Sequence, residues 1–389
     1  MATIRPFPFR KRLTTAVIGA GVLPWLFGCA TTLPDQSSAP TVYAAEAVAS
    51  SPDGRYVAAA TGAADSVFLF DAATQKTLSY MTPKDGVTGI RVMRPPGLAF
   101  SHDGRWLASS SWRESFAIRI WNVASHAEVR RISGHPDAVS VAFAPDDKRI
   151  AAAGPGKDAF VWDSTSGELI AQLPGHNGPV LDIAFSPEGR LIATGCADGT
   201  VRLFDGTTYA LLKAIPVPSG PVTGVAFSPD GQLLATSAGG VDIRVWAANT
   251  GEALKTLTNL QEQIEKSRSG EAALTALFFL AGVRGIQLVG APTPAMAAVV
   301  GGPARVPICA TRVAFSPDGR WLAAVIDRID LSFNSRFHLL LVNLETGRAD
   351  EVDNYHGCTV AFSADGSTVI GGGYGGISVY DVKAKKLVR

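Results

Sequence analysis

The string VAFSPDGRWLAAV, residues 313–325, is one of seven near-copies in a chain of 389 residues. The copies centre on Asp53, Asp103, Asp146, Glu188, Asp230, Asp318 and Asp365. Successive steps are 50, 43, 42, 42, 88 and 47 residues, so one step is about double the rest. A period of this length marks a repeat architecture, in which each unit needs like neighbours to bury its faces.

The copy at 222–257, VTGVAFSPDGQLLATSAGGVDIRVWAANTGEALKTL, shows what one unit is. Val222, Val225 and Phe227 lead into a tight turn. There Pro229 presets φ, Asp230 bonds its own backbone and Gly231 tolerates positive φ. A second apolar run, a glycine-rich turn, the alternating run DIRVWA, a second turn and the run EALKTL follow. This predicts four short strands joined as a meander. One such sheet cannot bury both faces, and seven arranged radially can. The content of 47% hydrophobic and 18% charged residues suits a folded body and excludes a disordered chain.

The unit resembles a WD40 repeat. The third strands end FLFD (68–71), IRIWN (118–122), FVWD (160–163), RLFD (202–205), RVWA (244–247), LLVN (340–343) and SVYD (378–381). A Gly-His pair precedes two units, at 134–135 and 175–176. The SPDG turn is shared with TolB-like propellers, usually six-bladed; the Gly-His pairs and the strand endings favour the WD40 reading. The resemblance implies an all-β, seven-bladed propeller of four-stranded antiparallel blades over residues 43–389. It also implies the tetrad of that family, in which His, Ser/Thr, Asp and Trp are hydrogen-bonded within a blade. His176, Thr194 and Asp198 match, with Phe204 in place of Trp. His135, Asp158 and Trp162 match one blade earlier, with Ala152 in place of the hydroxyl. The other blades largely lack the set. Closure is expected mainly from side-chain packing between the last blade and the first, helped by TVYA (41–44).

The N-terminus reads as separate from this body. Arg5, Arg10, Lys11 and Arg12 precede sixteen uncharged residues, LTTAVIGAGVLPWLFG, a secretory signal pattern too short for a confident spanning helix. Leu26, Gly28 and Cys29 resemble the bacterial lipobox, with Phe27 bulkier than usual. That resemblance implies a signal peptide over 1–28, lipidation of Cys29 and a Ser/Thr/Pro-rich tether over 29–42. Ala30 then favours sorting to the periplasmic face of the outer membrane, and several acyl chains would anchor stably. A plain signal peptide, giving a secreted or periplasmic protein, and an uncleaved anchor are the alternatives.

In a propeller the turns between second and third strands share a face with the links between blades. Four of those loops are enlarged here: 82–96, 110–116, 258–310 and 327–337. They carry Arg91, Arg94, Trp112, Arg113, Arg328, Phe333 and Arg336, types enriched at binding hot spots. Each residue alone also fits a solvated charge or a locally packed ring. The clustering on one face predicts a saddle that holds a protein partner. The insertion 258–310 carries an apolar, partly helical stretch, EAALTALFFLAGV (271–283). It caps the propeller, docks in a partner or dips into a membrane.

No nucleophile elbow, zinc-protease motif, CxxC pair or phosphate loop occurs. A formal net charge of +1 gives no nucleic-acid surface. Glu46 and Asp182, set against Arg312 at the starts of inner strands, do not build a metal site. Cys309 and Cys358 begin the inner strands of neighbouring blades and pair only if their geometry permits. The expectation is a monomeric, non-enzymatic platform with no cofactor. The alternatives are a small-ligand binder or enzyme at the channel mouth, or a structural subunit of an envelope complex.

Overall fold

The computed structural model describes residues 45, 47–60, 66–82, 97–110, 118–133, 138–239, 242–256, 312–329, 335–352, 355, 357–373 and 376–388. For 326–329, 335–337 and 357–358 it describes the backbone alone.

Among these residues every sheet has four strands in sequential order, and there are seven such sheets. Blade 1 runs from Ala47 to Met81, blade 2 from Leu98 to Ile132 and blade 3 from Ser140 to Leu173. Blade 4 runs from Val180 to Pro216, blade 5 from Val222 to Thr256, blade 6 from Val313 to Val352 and blade 7 from Gly357 to Leu387. All pairings are antiparallel, as in Val225↔Thr236, then Thr236↔Arg244, then Arg244↔Thr256 across blade 5. The inner strands of successive blades touch one another, and that of blade 7 touches that of blade 1. The seven-bladed propeller is therefore a closed ring.

The core is divided into seven apolar clusters, one between each pair of adjacent blades. Alanine marks the centre of the second strand in six blades: Ala58, Ala108, Ala151, Ala193, Ala235 and Ala323, all with no exposed surface. A central strand covered on both faces close to the axis has room for little more than a methyl group.

The repeated turns work as the sequence suggests. In the first turn of blade 1, Ser51 Oγ donates to Asp53 Oδ1 at 2.6 Å and accepts from the Tyr56 N–H at 2.9 Å. The same pair of bonds recurs at Ser101, Ser228, Ser316 and Ser363. Gly231 sits at φ 70°, where a side chain would be strained. Blade 3 carries Asp147 at that position, φ 56°, and turns the strain to use. Its carboxylate accepts the N–H groups of His102 and Asp103 at 2.7 and 2.8 Å, tying blade 3 to blade 2.

Two expectations are refined. The stretch 327–337 is not a loop throughout. Strands Trp321–Ile329 and Ser335–Asn343 continue into it with unbroken register to Ile329↔Ser335, leaving 330–334 as the connection. Closure also has a backbone component. The Ala45 N–H donates to the Gly373 carbonyl at 3.0 Å, beside the packing of Val48, Phe68 and Ile370. Gly372 permits that approach, since a Cβ there would lie 2.7 Å from Val48 Cγ1 and 2.8 Å from the Ala45 oxygen. The segments 1–28, 29–42 with TVYA, and the insertion 258–310 lie outside the described residues.

Candidate functional site

The two ends of the blades differ in how they are built. On one end, seven turns between third and outer strands place a residue at positive φ: Gln75, His126, Gly167, Tyr209, Gly251, Gly347 and Lys385. This end is uniform scaffold. The opposite end carries the described blade links, 174–179 and 217–221, while 83–96, 111–117, 258–310 and 330–334 lie outside the described residues. Arg91, Arg94, Trp112, Arg113 and Phe333 lie outside the described residues. Arg328 and Arg336 are placed by their backbones as direct cross-strand partners near the tip of the long blade 6 hairpin. The structure brings these two together and does not test the rest of the saddle. Cys309 lies outside the described residues and the Cys358 side chain is not described, so their pairing is untested. Cys196 is buried and free, and burial pushes its thiol pKa up, away from nucleophile chemistry.

The tetrad is present in pieces. In blade 4, His176 Nε2 and Thr194 Oγ1 are 2.8 Å apart, both buried, and His176 Nδ1 lies 3.1 Å from the Lys157 carbonyl. Burial and the nearby Arg202 guanidinium press the His176 pKa down to about 4, so the ring is neutral at physiological pH. Phe204 packs its ring 5.8 Å from the imidazole, replacing the tryptophan's shape without its N–H. Burial alone would raise the Asp198 carboxyl. The Arg202 guanidinium at 2.8 Å and the Asn177 N–H at 3.0 Å hold it well below the usual carboxylate range. In blade 3, Asp158 accepts from Gln172 at 2.8 Å and Trp162 is buried, while His135 lies outside the described residues.

Blades 2 and 5 supply what blade 4 lacks. Trp121 Nε1 donates to Ser109 Oγ at 2.9 Å, and Trp246 Nε1 to Thr236 Oγ1 at 3.0 Å. Neither blade has the tetrad histidine that marks blade 4 in the sequence; the spacing of hydroxyl and Trp is the signal these pairs carry. Replacing Trp246 by Phe keeps the ring and strands the buried Thr236 hydroxyl. The expected cost is about 1–2 kcal/mol, read as a lower midpoint in urea with unchanged slope.

At the channel, Asp182 begins a polar chain that crosses blades. It accepts from Ser140 Oγ of blade 3 at 2.6 Å and from the Val225 N–H of blade 5 at 2.9 Å. Arg312 of blade 6 reaches over to it at 3.8 Å and to the Val139 carbonyl at 3.4 Å. Together with Val48, Leu98, Val313 and Val360 these groups line a central cavity of about 300 Å³. The carboxylate and the guanidinium, which the sequence sets at the starts of inner strands, thus face each other beneath the blade-link end. Among the described residues no group of three or more His, Cys, Asp or Glu is placed to hold a metal.

Comparison with known proteins bears on the same blades. Residues 78–122, 127–163, 167–205 and 210–246 match the family described as WD domain, G-beta repeat. Each match begins in or just before an outer strand and ends on the third strand of the next blade. The repeat is therefore staggered across two blades, so the outer strand belongs to the unit that follows it in sequence. Periodic tryptophan protein 2 of Arabidopsis thaliana is 36% identical over 80 residues, 20% of this chain and 9% of its own length. Nuclear distribution protein nudF 1 of Talaromyces marneffei is 34% identical over 84 residues, 21% of this chain and 18% of its own. Periodic tryptophan protein 2 homolog of Schizosaccharomyces pombe is 29% identical over 139 residues, 36% of this chain and 15% of its own. The chain thus matches less than a fifth of the length of each of these relatives, all of them eukaryotic.

Proposed function

We propose that this propeller, built with WD40 repeats, is a non-enzymatic protein-interaction platform that receives its partner on the end carrying the blade links. The observation that carries the reading is the asymmetry of the two ends. Seven positive-φ turns close one end, and the sequence assigns its enlarged stretches 82–96, 110–116 and 258–310, with the long blade 6 hairpin, to the connections of the other. A rigid ring that presents variable loops on one side is a scaffold for binding. The blade 6 hairpin, with Arg328 paired to Arg336, projects from that side.

The platform is lipid-anchored in a bacterial cell envelope. The basic start, the short apolar run and the Leu26-Phe27-Gly28-Cys29 sequence support this, with Cys29 as the acylated residue. Replacing Cys29 by Ser is expected to move the protein from the membrane to the soluble fraction of fractionated cells. Retention in the membrane would remove the lipid anchor from the reading. For the platform itself, the tagged native protein is compared with one in which 262–306 is replaced by a short Gly/Ser linker, after both are shown to fold. A partner captured by the native form and lost by the deletion is the expected result. Equal capture makes the insertion a cap, and no partner with either form argues against a platform.

A further inference from the structure

Six of the seven blade interfaces share one wedge, and the seventh lacks both halves of it. The inner strands of blades 2 to 7 all end on phenylalanine: Phe100, Phe143, Phe185, Phe227, Phe315 and Phe362. Blade 1 ends on Ser50. The second strands of blades 1 to 6 all begin on a large residue: Tyr56, Trp106, Arg149, Leu191, Leu233 and Trp321. Blade 7 begins on Thr368. These two positions meet between blades. Tyr56 joins the cluster of Phe100, Trp106 that of Phe143, Leu191 that of Phe227, Leu233 that of Phe315 and Trp321 that of Phe362. Arg149 lies over the Phe185 ring at 5.8 Å. Between blades 7 and 1 the partners are a threonine and a serine, and there the structure has a groove of about 410 Å³ lined by both.

The groove has a defined chemistry. Val57, Phe70, Ile370, Ile377 and Val379 form an apolar wall, and Asp53, Asp71 and Asp365 stand on the rim. No Lys, Arg or His is among its described lining residues. Asp53 has Arg55 beside it at 3.6 Å, whereas Asp71 and Asp365 have hydrogen-bonded turn residues and no ion pair among the described residues. Those hydrogen bonds hold both carboxyls below their ordinary pKa, so the rim is negative at neutral pH. The volume lies within the ~300–1,000 Å³ of ordinary ligand sites.

We propose that the groove between blades 7 and 1 is a docking site for a partner polypeptide that inserts one aromatic side chain flanked by lysine or arginine. The ring takes the place that Phe and its wedge partner fill at the other interfaces, and the cation meets the acidic rim. The groove opens beside the uniform turns, on the end opposite the enlarged loops, so it does not depend on the platform surface argued above.

The test uses the folded chain and three probes: the amidated, acetylated peptide Gly-Lys-Trp-Lys-Gly, its Gly-Glu-Trp-Glu-Gly counterpart, and tryptamine, each titrated by calorimetry. The basic peptide is expected to bind with a Kd below about 1 mM and at least about tenfold tighter than the acidic one. The double variant Ser50→Phe/Thr368→Trp copies the wedge of the other interfaces and should abolish binding while keeping or raising Tm. If that variant does not fold, Asp71→Asn serves instead. Asn122 and Asn343 accept the same turn hydrogen bonds elsewhere in the ring, so the turn survives and binding should fall several-fold. Absence of binding by the basic peptide, equal binding of the two peptides, or binding unaffected by the variants overturns the proposal. Tryptamine as tight as the peptide overturns the polypeptide and assigns the groove to small aromatic amines.

Discussion

Asp182→Ala is expected to destabilise the propeller by about 3–5 kcal/mol, the cost of removing one member of a buried charged network. The distances say where that cost arises. Ser140 Oγ and the Val225 N–H bond the carboxylate at 2.6 and 2.9 Å, and both are stranded by the change. Arg312 stands at 3.8 Å, beyond a hydrogen bond, and is about a fifth exposed. Its attraction is the weaker part, because water reaches the guanidinium when the carboxylate is gone. Two further variants separate the contributions. Asp182→Asn keeps an acceptor for Val225 and should lose less than half as much. Arg312→Leu should cost less than Asp182→Ala, and combining the two should recover part of the loss because no unpaired charge is left. Urea unfolding of the native protein, the three single variants and the double variant Asp182→Ala/Arg312→Leu measures all of this. An Asp182→Ala protein within about 1 kcal/mol of the native one would show that the inner strands are held without this bridge.

The same residues show how far the sequence could be read. The turn Asp, Ser and Gly residues recur at fixed offsets, and local hydrogen bonds fix their roles, so the blades were legible from spacing alone. His176 and Thr194 were legible only through the resemblance to the WD40 repeat, whose tetrad implies a bond between them, and they stand 2.8 Å apart. Asp182 and Arg312 were not. They are separated by blade 5 and the insertion, and only closure of the ring makes them neighbours. The sequence alone gives 327–337 as one enlarged loop, whereas the ladder of the flanking strands continues in register to Ile329↔Ser335. The groove at the seam lies between these cases. Ser50 and Thr368 are visible in the sequence as departures from the repeat, but each alone is a small polar residue in a strand. Only the structure shows that the two departures face one another.

Lowering the pH from about 7.5 to about 5 should weaken the fold through His176 before the depressed carboxylates contribute. The folded-state pKa of His176 is about 4 and its ordinary value 6.5, so between these limits the unfolded chain binds a proton that the folded chain refuses. Stability therefore rises with pH through this window. The contribution is fully present above the unfolded value and lost as pH falls towards 4. A shift of this size corresponds to about 2–3 kcal/mol once partial screening by solvent is allowed for. The Asp198 carboxyl, also depressed, acts lower: its contribution is present above its ordinary value of 3.8 and lost only below it. The two effects therefore occupy adjoining windows. His176→Gln retains a hydrogen-bonding group near Thr194 and cannot titrate. It should show a smaller change in Tm between about pH 7 and pH 4.5 than the native protein, with little difference between pH 7 and pH 8. An unchanged pH dependence would mean that the folded chain accepts the proton as readily as the unfolded one, so that burial and Arg202 do not hold the imidazole neutral.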